Sequence, residues 1–382
     1  MTRRLRIAVL NRHFGRRFGG AESYSVALVE ALAARHELHV FAQEFDHPGI
    51  GIALHRVPRP LTKPRWLNQL WYAAWTWQAT RRGFDVVHSH ENTWHGQIQT
   101  VHVRPLRVGL FHGLSAGRRI LKTLQILTSP RLLAYWWLEG SRFRPRPDRR
   151  IVASSTSVRD EVLQAYPHAA GMMSVIPPGT LLPAGPADPS AARRQLKLPA
   201  DVPLALFAGN DYVKKGLPAL LEALTRLPAD LHLAVAGNPA PIAAFRAQAE
   251  QLGVGARVHF LGSLRDMVPA YTAADLLVHP TTEDTYAMVV LEALAHGLPV
   301  IVSGPAHCGI ATELRDGVDA LLVDDPRDAD ALARAIARVR GDAGLAAALG
   351  QAGRAFAAAR DWEARAAVQE ALYFEAAGNA TG

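Results

Sequence analysis

The stretch LLVHPTTEDTYAMVVLEALAHGLPVIV, residues 276–302, decides how the rest of the chain is read. Leu276 to His279 is a short apolar run, the form of a strand buried on both faces. A loop with two adjacent carboxylates, Glu283 and Asp284, follows. The next apolar positions build a helix that holds Glu292 between hydrophobic neighbours and stops at Gly297, the residue type favoured just past a helix end. Pro299 to Val302 opens a new apolar run. Strand, loop, helix and strand in so short a span predict a parallel βαβ unit.

The same alternation extends in both directions. Leu204 to Ala208, Leu231 to Ala236, Val258 to Leu261 and Ala320 to Val323 read as strands, and Leu217, Leu220, Leu221, Leu224 and Leu227 recur at helical spacing. Towards the start, Ile7 to Leu10, a run ending at His39 to Phe41, Asp85 to His88, Gln99 to His102 and Ile151 to Ser154 are strands, and Ala21 to Ala34 is a helix. Pro177, Pro178 and Gly179, with the Pro/Ala/Gly-rich run from Leu182 to Ser190, mark a linker. The expected architecture is α/β: two Rossmann-like, doubly wound domains, residues 1–178 and 179–360, facing across a cleft. A last segment, 361–382, is expected to carry a helix back to the first domain. Ligands in such sheets bind outside the carboxyl ends of the strands.

A length of 382 residues and 49% hydrophobic content suit a two-domain globular chain. One cysteine, Cys308, excludes an internal disulfide framework and fits a reducing, cytoplasmic setting. Ile7 to Leu10 is too short for a signal-peptide core, and no run approaches the roughly 18 apolar residues of a spanning helix. Charge is uneven. Residues 1–180 hold 25 Lys/Arg against 11 Asp/Glu, a balance of +14, and residues 181–382 hold 17 against 23, a balance of −6. The first half is therefore expected to meet an anionic partner.

Several constellations carry chemistry. Glu292 is the right group to accept two hydrogen bonds from the vicinal hydroxyls of a ribose. The amides of Thr285, Tyr286, Ala287, Met288 and Val289, where loop becomes helix, can meet phosphate. The bland alternative is an ordinary helix start with an acidic first turn. Gly209 to Gly216 links a strand to a helix and holds Lys214 and Lys215, whose charge can neutralise a diphosphate leaving group or simply face solvent. Gly19 and Gly20, with Glu22, follow the first strand, where glycine lets backbone approach a ligand or merely makes a tight turn. The G-x-G-x-x-G dinucleotide fingerprint is missing. His88, His90, His95 and His102 have no cysteine or carboxylate cluster to complete a metal site, so packed or solvated histidines are the default, His102 excepted. From Thr100 to Arg150 there are 11 Lys/Arg and two acidic residues. Arg118, Arg119, Lys122 and Arg131 lie among leucines, with Trp136 and Trp137 beyond. That mixture suits an anionic membrane interface, a solvated helix face or a nucleic-acid patch, and no nucleic-acid motif accompanies it.

Taken together these segments resemble the retaining glycosyltransferases of family four, which have the GT-B fold, over nearly the whole chain. Asp284 to Glu292 followed by Gly-Leu-Pro-Val at 297–300 is similar to that family's Glu, seven residues, Glu signature. Lys214, Lys215 and Gly216 resemble its basic pair, residues 18–22 its glycine loop, Gln99 to His102 the strand ending in its active-site histidine, and Ile176 to Gly179 the entry to its second domain. The segments 209–216 and 176–179 resemble the lipopolysaccharide-core glucosyltransferases in particular. The resemblance implies a hexose, glucose from UDP-glucose, moved with retention and without a metal or cofactor onto a glycan or glycolipid such as a lipopolysaccharide core. It also implies that residues 100–150 lie at the inner face of the cytoplasmic membrane. Lys214, Lys215 and the loop at Gly19 and Gly20 would hold the diphosphate, Asp284 or Glu283 the sugar hydroxyls, and His102 would lie near the sugar. The chain departs from the pattern at Asp284, one methylene shorter than the usual Glu, and at Asn210, where relatives carry an arginine. Two other classes remain: a nucleotide-sugar epimerase of the same fold, and a non-catalytic protein that binds anionic surfaces.

Overall fold

The structure, a computed structural model, describes residues 3–111, 115–183, 185 and 187–379. Two compact units result: residues 1–177 with 362–382, and residues 178–361. Ala184 and Pro186, inside the expected linker run, lie outside the described residues.

In the first unit the strands are β1 (Arg6–Leu10), β2 (His13–Gly15), β3 (Glu37–Ala42), β4 (Glu44–Asp46), β5 (Ala53–Arg56), β6 (Val86–Ser89), β7 (Ile98–Val101), β8 (Arg150–Ala153) and β9 (Met173–Val175). Seven of them form one sheet in the order β5-β3-β1-β6-β7-β8-β9, while β2 and β4 pair separately. Every pairing is parallel. Four residues of β1 and all of β6 and β7 are buried, which explains the apolar run Ile7 to Leu10, while β6 and β7 also bury the polar side chains of His88, Ser89, Gln99 and Thr100. Sequence periodicity does not reveal β5 and β9. Both are short edge strands of half-buried residues with no alternation to mark them. The last helix, Trp362–Asn379, packs within this unit: Trp362 lies edge-on to Tyr24 with ring centroids 5.2 Å apart.

The second unit holds β10 (Leu204–Ala208), β11 (His232–Ala236), β12 (Val258–Gly262), β13 (Leu276–His279), β14 (Val300–Ser303) and β15 (Leu321–Val323), in the order β12-β11-β10-β13-β14-β15. All its pairings are parallel too. The helix Leu217–Leu224 buries Leu217, Leu220, Leu221 and Leu224 against the sheet, as their spacing predicts. The helix Met288–Ala295 covers the other face through Val290, Leu291 and Leu294.

Strand order locates the functional ends. In the first sheet the chain turns outward in opposite directions from β1 and β6; in the second it does so from β10 and β13. Such switch points leave a crevice outside the carboxyl ends of the two strands. The segment after β1 leads to Gly19 and to Gly20 at the first position of the next helix, and the loop after β6 holds His90 and Glu91. The loops after β10 and β13 hold Lys214, Lys215, Glu283 and Asp284.

Candidate active site

The two loops at the second unit's switch point are stitched together. Thr282 N donates to Lys214 O at 2.8 Å and Thr281 Oγ1 donates to the same oxygen at 3.2 Å. Gly216, left-handed at φ 84°, starts the helix there; a Cβ on it would lie 1.9 Å from Pro280 O, so only glycine fits. At Gly209 a Cβ would lie 2.8 Å from Lys215 Cγ, so the bare backbone makes room for the lysine stem.

Lys215 and Asp284 meet across this seam. Asp284 Oδ2 accepts hydrogen bonds from Lys215 Nζ at 2.5 Å and from His279 Nε2 at 3.2 Å. Its Oδ1 accepts from Ala287 N at 2.9 Å and Tyr286 N at 3.3 Å. Burial pushes the carboxyl upward, but the His279 hydrogen bond and the Lys215 ammonium outweigh it and hold Asp284 well below the usual carboxylate range. Lys215 Nζ also donates to Glu283 O at 3.4 Å. Lys214 and Glu283 form a second, exposed pair at 3.0 Å. The two lysines are thus each matched to a carboxylate of the facing loop.

Ala287 takes φ 71° and ψ 73°, a left-handed conformation that costs a residue with a Cβ roughly 1–2 kcal/mol. Asp284 Oδ1 holds that turn in place, and the helix Met288–Ala295 starts immediately after it. First-turn amides have no partner inside their own helix and sit at the positive end of its dipole, so the turn sets an anion-binding helix start beside Lys215. One helical stretch further on, Glu292 Oε2 accepts a hydrogen bond from Tyr271 Oη at 2.6 Å. Burial and the Glu292 charge both push the Tyr271 hydroxyl well above its ordinary value, so it stays protonated and orients the carboxylate. Neither Tyr271 nor His279 is singled out by sequence reasoning. Tyr271 lies on another helix, Val268–Ala273, and His279 is the last residue of a strand, where a histidine has no distinctive spacing.

At the first unit's switch point, Gly19 caps the helix Gly20–Leu32. Arg12 bridges the loops after β1 and β6: its backbone N donates to Glu91 Oε1 at 3.0 Å and its Nε to Glu91 Oε2 at 2.9 Å. His102 lies one residue past β7 rather than closing it. The rings of His90 and His102 are hydrogen-bonded, Nδ1 to Nε2, at 2.9 Å. His88 is held between Tyr373 Oη at 2.6 Å and Thr100 Oγ1 at 2.7 Å. Burial, followed by the charge of Arg142, pulls His102 down to about 3; burial with His102 and Arg142 does the same to His88; and His90 lies well below its ordinary value. His95 is apart from this group, 3.3 Å from Thr76 Oγ1. Among the described residues no three His, Cys, Asp or Glu side chains gather in a way that could hold a metal ion.

In the basic segment, the helix Ala116–Thr128 leaves Ile120, Leu121, Leu124 and Leu127 all more than half exposed, alongside the exposed Arg118 and Arg119 and the half-buried Lys122. The following helix, Pro130–Arg142, exposes Arg131 and Trp137. Trp136 turns inward instead: its ring packs edge-on against Phe111 at 5.6 Å, under the Arg107 guanidinium. The sequence expectation that both indoles share one outer face therefore narrows to Trp137, because neighbouring residues on a helix point about 100° apart. Among the described residues no helix is long and apolar enough to cross a membrane.

Two parallel α/β units with paired switch-point loops define the GT-B class, and comparison with known proteins agrees. Residues 18–182 match the family described as Glycosyltransferase Family 4 and residues 189–356 that described as Glycosyl transferases group 1. The chain belongs to the family-four glycosyltransferases. It is 33% identical over 239 residues to a D-inositol 3-phosphate glycosyltransferase of Xylanimonas cellulosilytica, covering 59% of this chain and 57% of that protein. It is 38% identical over 127 residues to the lipopolysaccharide glucosyltransferase WaaG of Escherichia coli, covering 32% of this chain and 33% of WaaG. These matches thus span from a third to just over half of the relatives' length. In fold it is similar to a crystal structure of WaaG, a glycosyltransferase involved in lipopolysaccharide biosynthesis, with TM-score 0.80, 22% identity and coverage of 96% of this chain and 98% of that one. It is similar also to Anabaena HepE in complex with UDP-glucose, with TM-score 0.73, 20% identity and coverage of 96% and 99%.

Proposed function

We propose that the protein is a retaining, metal-independent hexosyltransferase that moves glucose from UDP-glucose onto a membrane-associated glycan or glycolipid such as a lipopolysaccharide core. The observation that supports this most is the convergence, at one switch point, of Lys215, the helix start at Met288 and the Tyr271-oriented carboxylate of Glu292. These are a cation, a set of amides and an acceptor pair, which is what a diphosphate joined to a ribose requires. Within the second unit Lys214, Lys215, Gly209 and the amides of Met288 and Val289 take the donor; the expected part of the Tyr286 and Ala287 amides falls away, because Asp284 Oδ1 already accepts from both. The leaving diphosphate is stabilised by fixed cations and backbone dipoles. His102, in the first unit, is the candidate that this unit offers to the catalytic set, and burial keeps its ring neutral at pH 7. The names of the relatives support a glycan, glycolipid or phosphorylated cyclitol acceptor and a UDP-sugar donor.

The deciding experiment incubates the protein with UDP-glucose, alone and with lipopolysaccharide-core acceptor, and follows both sugar and UDP by mass spectrometry. Acceptor-dependent release of UDP with an α-linked product supports the reading. Conversion of the sugar in the donor-only tube identifies an epimerase, and loss of transfer with EDTA defeats metal independence.

The protein is further proposed to work in the cytoplasm, at the inner face of the membrane, through Arg118, Arg119, Lys122, Arg131 and Trp137. Each basic side chain near an anionic leaflet contributes about 1 kcal/mol. Exchanging Arg118, Arg119 and Lys122 for Gln is therefore expected to weaken binding to phosphatidylglycerol-containing vesicles by about 10²-fold in a sedimentation assay. Equal binding by the triple variant would show that this face is merely solvated.

A further inference from the structure

A neutral imidazole has one N–H and one lone pair, so a hydrogen bond between two such rings fixes where both protons sit. Burial holds His90 and His102 well below their ordinary value, and each ring therefore carries a single proton at pH 7. Their planes are 11° apart, their centroids 5.2 Å apart, and His90 Nδ1 lies 2.9 Å from His102 Nε2. Rings so arranged meet edge to edge, with the bond lying in both ring planes, where the N–H and the lone pair point. That geometry allows either ring to donate, and the far side of His90 decides between them. His90 Nε2 is buried and has no hydrogen-bond partner among the described residues. His88, with its ring centroid 4.2 Å away, already has both nitrogens on hydroxyls, those of Tyr373 and Thr100. Were His102 the donor, His90 would keep its proton on Nε2, a buried N–H without an acceptor. Were His90 the donor, Nε2 would hold only a lone pair. Orphaned buried N–H groups are the rarer of the two in folded proteins. The pocket is also short of acceptors already. The buried Arg142 guanidinium donates to Thr100 O through Nη2 and leaves its Nε without an acceptor among the described residues.

We infer that His90 is a positioning residue whose Nδ1–H donates to His102 Nε2 and so fixes the His102 proton on Nδ1. His102 then has an N–H to give to an oxygen and no lone pair left with which to take a proton. It is a hydrogen-bond donor and not a general base. Tyr24 packs against the pair, its ring edge-on to that of His102 at 5.0 Å and 6.1 Å from that of His90. The bearing on catalysis rests on the place proposed above for His102 in the catalytic set; the position of the proton does not.

Proton–nitrogen NMR correlation spectra of isotope-labelled protein show which ring nitrogen carries the proton, and His102→Gln identifies the His102 signals by their loss. The wild type is expected to show His102 protonated on Nδ1 and bare on Nε2. His90→Leu removes the donor and is expected to move that proton to Nε2. It is also expected to lower kcat for transfer from UDP-glucose to a lipopolysaccharide-core acceptor by about 10- to 100-fold, with KM for UDP-glucose changed by no more than about threefold. His90→Asn keeps an N–H near the place of Nδ1 and is expected to restore the Nδ1–H form and most of kcat. The inference is overturned if the wild-type His102 carries its proton on Nε2, or if His90→Leu keeps the wild-type tautomer. Should His90→Leu not fold, the wild-type spectrum decides alone. If the tautomer shifts as stated while His90→Leu and His102→Gln both transfer at the wild-type rate, it is the place of His102 in the catalytic set that has failed, an outcome distinct from any misplaced proton.

Discussion

Replacing Lys215 by alanine is expected to lower sugar transfer by about 10²- to 10³-fold, equivalent to about 3–4 kcal/mol of transition-state stabilisation. Charge on the departing diphosphate grows as the glycosidic bond breaks. Lys215 is the cation fixed in advance at that place: its stem lies over Gly209, and its ammonium is held by Asp284 Oδ2 and Glu283 O. Fixed groups stabilise developing charge without reorganising, which is why the loss falls on turnover more than on binding. Lys214 is the control. Its pairing with Glu283 is exposed, and Lys214→Ala is expected to cost about tenfold or less. Intact turnover in Lys215→Ala would remove the leaving-group assignment. Without Lys215, Asp284 keeps only His279 and two amides around a buried carboxylate, so the variant should also melt at a lower temperature.

The next largest effect is on stability in mild acid. His88, His95 and His102 are pulled to about 3 by burial first, and His90 lies well below its ordinary value for the same reason. All four belong to the first unit. Their folded values lie below the unfolded value of about 6.5, so the unfolded chain binds more protons as pH drops. The stability they allow is complete above about pH 6.5 and is lost progressively as pH falls from there towards about 3. Between pH 7 and pH 5.5 His88, His95 and His102 each contribute a loss of about 1 kcal/mol, roughly 3–4 kcal/mol for the three with His90 acting in the same direction, a large share of the 5–15 kcal/mol typical of a domain. Ordinary carboxylates scarcely titrate in that window, and Glu22, pushed upward by burial, works in the opposite sense to the histidines. Scanning calorimetry from pH 7.5 to 5 should therefore show the first unit's transition moving to much lower temperature. A melting temperature independent of pH over that range would mean that these rings are already protonated or solvated.

Much of the architecture was legible because parallel strands buried on both faces leave unmistakable marks. β10, β13 and β14 stand out as unbroken apolar runs, and Gly216 and Gly297 punctuate the helices between them. What escaped the sequence is long-range or conformational. No residue type announces that Ala287 is left-handed, because alanine is not a turn residue; the conformation is imposed by Asp284 Oδ1 and by the clamp to residues 307–309. Partnerships such as Tyr271 with Glu292 join helices that sequence spacing does not relate. Glu283 and Asp284 are visible in the sequence as two adjacent carboxylates, but only the fold shows that Asp284 meets Lys215, His279 and two amides while Glu283 pairs with Lys214 at the surface. Trp136 and Trp137 look equivalent as neighbours, yet the helix that carries them turns one inward against Phe111 and the other to solvent.

On the proposed reading, the loops after β10 and β13 hold a ribonucleotide diphosphate with its ribose on Glu292. Calorimetric titration of the wild-type protein and of Glu292→Gln with UDP and with its 2′-deoxyribose counterpart tests it most directly. The wild type is expected to bind UDP saturably, Glu292→Gln to bind it about 10- to 100-fold more weakly, and the same substitution to cost much less with the deoxy nucleotide, which lacks one of the two hydroxyls. Equal UDP affinity in the wild type and Glu292→Gln would contradict it.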